Sequence, residues 1–224
     1  MAQTPEDSLR LICGNRNYSS WSLRAWLCLR RAGLAPELVV LPMDTPEFAR
    51  RIGDYSPTAR VPVLWMGDEF VWDSLAIAET VNERFAGGTL WPAEPEFRAR
   101  ARAMVAEMHS GFGALRQQLP MNCRAQQRRI TIDAAAQADV ARIGALWSEA
   151  RAMAGGHGPW LLGEWSIADA FFAPVALRFD AYALDLPETV RAYVKQWLED
   201  DDLRAWRQAG IAEPWVIEHE EAGE

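Results

Sequence analysis

Apolar and polar positions follow two regimes along this 224-residue chain: short apolar runs broken by turn residues, then long stripes at three- and four-residue spacing. Leu9-Arg10-Leu11-Ile12-Cys13 reads as a strand. It feeds the polar turn Asn17-Tyr18-Ser19-Ser20, after which Trp21, Leu23, Trp26, Leu27 and Arg30 recur at helical spacing. Ser19 suits the N-cap of that helix, because its hydroxyl can accept from a free N–H of the first turn, and Gly33 suits the left-handed residue that ends it. Glu37 to Leu41 is β-rich and completes a βαβ unit. Pro46 to Tyr55 is polar and fits no single period. Val61-Pro62-Val63-Leu64-Trp65 and Phe70-Val71-Trp72 flank Met66-Gly67-Asp68-Glu69, which predicts an antiparallel hairpin. Asp73-Ser74 then opens an amphipathic helix through Leu75, Ile77, Ala78, Val81, Asn82 and Phe85, with Ser74 at its positive end.

Gly87 to Pro95 is rich in Gly and Pro and marks a boundary. It divides the chain into a mixed α/β domain over 1–86, a linker over 87–96 and an all-helical domain over 97–224. Phe97, Ala101, Met104, Val105, Met108, Phe112, Leu115 and Leu119 predict one helix stopped by Pro120. Ile132 to Met153 predicts another, ended by Gly155-Gly156. Ser166-Ile167-Ala168-Asp169 is a capping pattern opening an apolar core helix. Short helices follow over Val190 to Leu198 and Leu203 to Ala209, and His219 to Glu224 reads as a mobile acidic tail.

Composition narrows the function classes. A net charge of −8 and a single lysine, Lys195, among 23 basic residues argue against a nucleic-acid partner, because phosphate binding needs clustered cations. Cys13, Cys28 and Cys123 are too few and too scattered for a zinc site with His109, His157 and His219, and read as buried, reduced thiols. Met1 to Ser8 lacks the apolar core of a signal peptide and no run reaches membrane-span length, so a cytoplasmic protein off the membrane is expected.

The candidate chemistry lies at helix ends. A free thiol titrates near about 8.5, and a hydroxyl donor together with a helix N-terminus can lower this to about 7. Ser19 stands where such a donor is needed, although a serine there also reads simply as a cap. Ser74 is a second hydroxyl at a helix start with the same two readings. Pro62 cannot donate to a ladder, so it marks a strand start or edge where exposed backbone could pair with a ligand strand.

The order of these elements resembles a cytosolic glutathione S-transferase of serine type, from about Leu9 to Trp206. The resemblance implies a thioredoxin-like N-terminal domain, an all-α C-terminal domain, a homodimer, and glutathione as co-substrate with no metal. It places the catalytic residue at Ser19, or alternatively Ser20. It assigns Val61 and Pro62 to the strand that pairs with the glutathione cysteine, and Asp73 and Ser74 to the γ-glutamyl end. Ser19-Ser20-Trp21-Ser22 and Ser56 to Pro62 are most similar to the zeta class, which includes maleylacetoacetate isomerases. Arg178-Phe179 resembles an Arg-Phe of that class near the second substrate. Met108, Phe112 and Trp165 are apolar candidates for the same pocket or for the core. The zeta signature also carries a cysteine and two further arginines around its serines, which Asn17-Tyr18 and Ser22-Leu23 do not supply. A general transferase attacking a small electrophile therefore ranks first, with a cis–trans isomerase or a non-catalytic glutathione-binding module as alternatives.

Overall fold

The computed structural model describes residues 9–224. The leader reading of Met1 to Ser8 lies outside them. Strands β1 (Leu9–Cys13), β2 (Glu37–Val40), β3 (Val63–Met66) and β4 (Glu69–Trp72) form one sheet in the order β2-β1-β3-β4. β1 pairs parallel with β2 and antiparallel with β3, and β3 pairs antiparallel with β4 through the Gly67-Asp68 turn. Helix α1 (Ser20–Arg31) is the crossover between β1 and β2, and α3 (Ser74–Arg84) follows the hairpin.

The sheet is apolar on both faces, so both must be covered. Leu11 and Leu64 join the main core with α1 and α3, whereas Ile12, Val63, Leu41 and Ile52 form a second cluster. That second face explains Pro46 to Tyr55: α2 (Pro46–Arg51) and a 3₁₀ turn over Ile52–Asp54 cover it with Phe48 and Ile52. Thr45 caps α2 by accepting from the Phe48 N–H.

The remainder is helical: α4 (Pro95–Ser110), α5 (Gly113–Gln118), α6 (Ala134–Met153), α7 (Ile167–Ala181), α8 (Glu188–Leu198) and α9 (Asp201–Ile211). This is the thioredoxin-like sheet followed by helices that the resemblance implied. The stripe from Phe97 to Leu119 is broken, contrary to expectation. Phe112 adopts φ +59°, and Arg116 donates to the Gly111 and Met108 carbonyls freed by the break. A Cβ at Gly111 would stand 2.8 Å from the Glu107 carbonyl oxygen, so the turn itself requires glycine.

α7 is the central pillar, packed on α1, α4 and α8. Its capping box is present. Asp169 Oδ2 accepts from the Ser166 N–H at 2.9 Å, and Oδ1 accepts from the Leu161 N–H at 3.0 Å and the Tyr193 hydroxyl at 2.8 Å. Cys13, Cys28 and Cys123 are buried free thiols whose pKa burial pushes up. No helix among the described residues is long and apolar enough to cross a membrane.

The acidic tail is the second correction. It is docked: Glu221 accepts from the Tyr18 hydroxyl and from Arg128 Nη2, and Glu224 exchanges backbone hydrogen bonds with Arg129. Composition alone suggested a solvated tail; the arginines that receive it lie far away in sequence.

Candidate functional site

The turn after β1 is built by local hydrogen bonds and held from both sides. Tyr18 and Ser19 donate their N–H groups to the Asn15 carbonyl, while Asn15 Oδ1 accepts from the Met43 N–H. From the helical side, Asn17 Nδ2 donates to Asn122 and Arg16 pairs with Glu213 at 2.9 Å. Gly210 of α9 lies so near that a Cβ there would stand 2.9 Å from the Asn17 nitrogen.

Ser19 caps α1, as its position predicted: its Oγ accepts from the Ser22 N–H at 3.4 Å. Its hydroxyl also donates to Ser22 Oγ at 2.8 Å, and that oxygen accepts from the Gly14 N–H at 3.2 Å. The Ser20 hydroxyl makes no hydrogen bond with another described residue.

Two adjoining cavities open beside this turn, and Trp21, Arg60 and Val61 line both. The first, about 480 Å³, holds Pro62, Asp73 and Ser74. The Val61-Pro62 peptide bond is cis, and Val61 precedes the first paired residue of β3. Asp73, not Ser74, caps α3: its Oδ1 accepts from the Leu75 N–H at 2.8 Å, and Oδ2 lies 3.3 Å from His109 Nε2. Ser74 Oγ is left buried without a partner.

The second cavity, about 400 Å³, holds Ser19, Ser20, Arg116, Arg178 and Glu220. Arg178 is 4% exposed, which removes it from the surface. Its Nε donates to the Leu119 carbonyl and Nη1 to that of Pro174, while nearby Asp180 pairs instead with Arg207. Burial lowers the Arg178 pKa to about 10, and the field of Arg116 adds to the shift. Met108 and Phe112 do not line this cavity. Both belong to the main core: Met108 continues the buried stripe of α4 through Ala101, Met104 and Val105, and Phe112 is buried at the break that follows. Trp165 borders a separate depression near Gly87 and Pro92. A larger cavity, about 630 Å³ between α6 and α8, contains none of the residues the sequence singled out.

Arg24, Arg116, Ser22, Tyr18 and Glu220 were not singled out as site residues by sequence. Arg24 is fully buried, with its Cζ 4.5 Å from the Trp21 ring centroid and 4.9 Å from that of Phe171. An arginine on the apolar stripe of a helix was the one available signal. No group of three or more potential metal ligands occurs among the described residues.

Comparison with known proteins agrees with this architecture. Residues 18–84 match the family model of the glutathione S-transferase N-terminal domain. A glutathione transferase homolog from Burkholderia gl BGR1, solved with bound glutathione, superposes with a TM-score of 0.67 at 25% identity, covering 92% of this chain and 100% of that one. The theta class glutathione S-transferase of Xanthomonas axonopodis pv. citri, with glutathione bound, gives 0.64 at 23% identity, covering 93% and 99%. Residues 18–84 thus carry a glutathione S-transferase N-terminal domain, and the fold of the chain is that of the glutathione transferases it superposes on. Among curated relatives, dichloromethane dehalogenase of Methylorubrum extorquens is 42% identical over 55 residues, 25% of this chain and 19% of that protein. A probable maleylacetoacetate isomerase of Caenorhabditis elegans is 29% identical over 100 residues, 45% of this chain and 46% of that protein. The matches span less than half the length of either relative.

Proposed function

We propose that this protein is a glutathione transferase that stabilises the glutathione thiolate and directs it at a small electrophile. The observation that carries the reading is the convergence of Ser19 and Ser20, at the start of α1, with Val61, Pro62 and the unpartnered Ser74 hydroxyl on two joined cavities. In this reading the first cavity takes glutathione. Ser74 and the N-terminus of α3 receive the γ-glutamyl carboxylate, and the Val61 backbone receives the cysteine.

The thiol gives its proton to solvent, and the sulfur then rests against the serine pair and the positive end of α1. We favour Ser19 as the donor. With the hydroxyl rotors turned, Gly14 N–H donates to Ser22 Oγ, Ser22 donates to Ser19, and the Ser19 proton is directed at the sulfur. Each link polarises the next. The thiolate forms a carbon–sulfur bond and the leaving group departs with the electron pair of the bond it breaks.

A second reading, reversible thiolate addition for cis–trans isomerisation, is favoured by the buried Arg178 in the second cavity, where it could hold a substrate carboxylate. The boundary over 87–96 and a homodimer belong to the same proposal. Phe70 and Trp72 on edge strand β4, 38% and 46% exposed, are an adjacent apolar pair that association would cover, apart from the exposed Ile211 and Val216. Glutathione-affinity binding, followed by turnover of an aryl halide, a peroxide and maleylacetone, tests the reading. Failure to bind glutathione would refute it.

A further inference from the structure

Three guanidiniums converge under the second cavity. None of the three side-chain nitrogens of the buried Arg24 has a hydrogen-bond partner. Arg116 lies against the same Trp21 ring, its Cζ 4.8 Å from the centroid; its Nε and Nη2 are used on the Gly111 and Met108 carbonyls and its Nη1 is buried without a partner. Arg178 uses Nε and Nη1 on backbone carbonyls. The fields overlap, since both Arg116 and Arg178 depress the pKa of Arg24, beyond the larger effect of burial. In a chain of net charge −8, so much unpaired buried positive charge calls for an anion.

Asp73 lies in the field of Arg24 and Asp139 in that of Arg116, whereas the carboxylate that acts on Arg178 is Glu220 of the tail. Glu220 lines the same cavity and lies in the field of Arg178. Among the described residues its carboxylate forms one ion pair within 4.0 Å, with His219 Nε2 at 3.8 Å, and none with an arginine. It therefore balances the cations across an open cavity. The tail's anchor is the neighbouring Glu221, held by Tyr18 and Arg128, so the Glu220 carboxylate is not needed to dock the segment.

We propose that Glu220 is a specificity-determining residue: it is the resident counter-charge of an anion subsite formed by Arg178 and Arg116, and an anionic second substrate competes with it. The proposal rests on the transferase reading for the role of the cavity. It makes the tail a filter on substrate charge, with carboxylate-bearing electrophiles admitted only insofar as they outcompete Glu220.

The test is calorimetric binding of succinate and of its uncharged dimethyl ester to the full chain, comparing the unaltered protein with Glu220→Gln at fixed ionic strength. Succinate affinity is expected to rise about tenfold in the variant and the ester to stay within about twofold, because only the charged ligand feels the lost repulsion. Adding Arg116→Gln to Glu220→Gln should cancel the gain. An unchanged succinate affinity, or equal gains for acid and ester, would overturn the proposal. Retention on glutathione resin is measured in parallel. Loss of retention with the succinate gain intact refutes the transferase reading while leaving the anion subsite standing.

Discussion

The Tyr18 hydroxyl donates to Glu221 Oε1 at 2.5 Å, tying the turn that carries Ser19 to the acidic segment over 218–224. The same hydroxyl accepts from Arg124 Nη2 at 2.9 Å and from the Ile217 N–H at 3.3 Å. Removing residues 218–224 should therefore leave Arg128 without its carboxylate and lower unfolding free energy by about 1–3 kcal/mol. Urea unfolding of the truncated chain checks this. An unchanged midpoint would mean that the tail is only laid against the surface.

Ser19→Ala should cut the conjugation rate by about 1.5–3 kcal/mol, the worth of a hydrogen bond to a charged sulfur. It should also cost about 1 kcal/mol of stability through the lost cap. Ser22→Ala should raise the pKa of the bound thiol, read from thiolate absorbance against pH, since the relay behind Ser19 is gone. A larger rate loss in Ser20→Ala than in Ser19→Ala would move the donor by one residue.

Ser74→Ala should raise KM for glutathione with a smaller change in kcat, because the hydroxyl is placed away from the sulfur. Steady-state kinetics with glutathione varied decides it, and a pure kcat effect would contradict the assignment.

Asp169 gives a pH signature. Burial lifts its carboxyl to about 6 from 3.8, against hydrogen bonds from Leu161, Tyr193 and Ser166 that favour the anion. The folded chain thus binds this proton more tightly than the unfolded one. The contribution of Asp169 to stability is fullest below about pH 4, falls as pH rises to about 6 and is flat above. The gap in unfolding free energy between the unaltered protein and Asp169→Asn should narrow by on the order of 2 kcal/mol across that window. A gap that widens with pH would reverse the sign of the shift.

Local chemistry was legible in the sequence. Ser19 as a cap, the Gly67-Asp68 hairpin, Gly33 after α1 and the Ser166–Asp169 box each depend on neighbours a few residues away. What escaped depends on long-range partners. The break at Gly111 is stabilised by Arg116, which the uninterrupted stripe of Met104 to Leu119 concealed. The docked tail depends on Tyr18, Arg124 and Arg128. For Arg178, the sequence does not show that its partners are the carbonyls of Leu119 and Pro174, which lie on other turns of the fold, while neighbouring Asp180 pairs with Arg207.

That burial changes how Arg178 must be tested. Truncation to alanine would leave the Leu119 carbonyl unpaired and open a cavity, so lost activity would report on folding as much as on binding. Arg178→Gln keeps most of the stem and a donor for that carbonyl while removing the charge. If Arg178 holds a substrate carboxylate, kcat/KM for maleylacetone should fall by about 1.5–3 kcal/mol relative to that for a neutral aryl halide, the worth of a charge-assisted contact. The ratio of the two substrates is the informative quantity, because any general loss of fold or of glutathione binding lowers both together. A ratio that stays constant would leave Arg178 a structural group beneath the cavity and take away the observation that favours isomerisation.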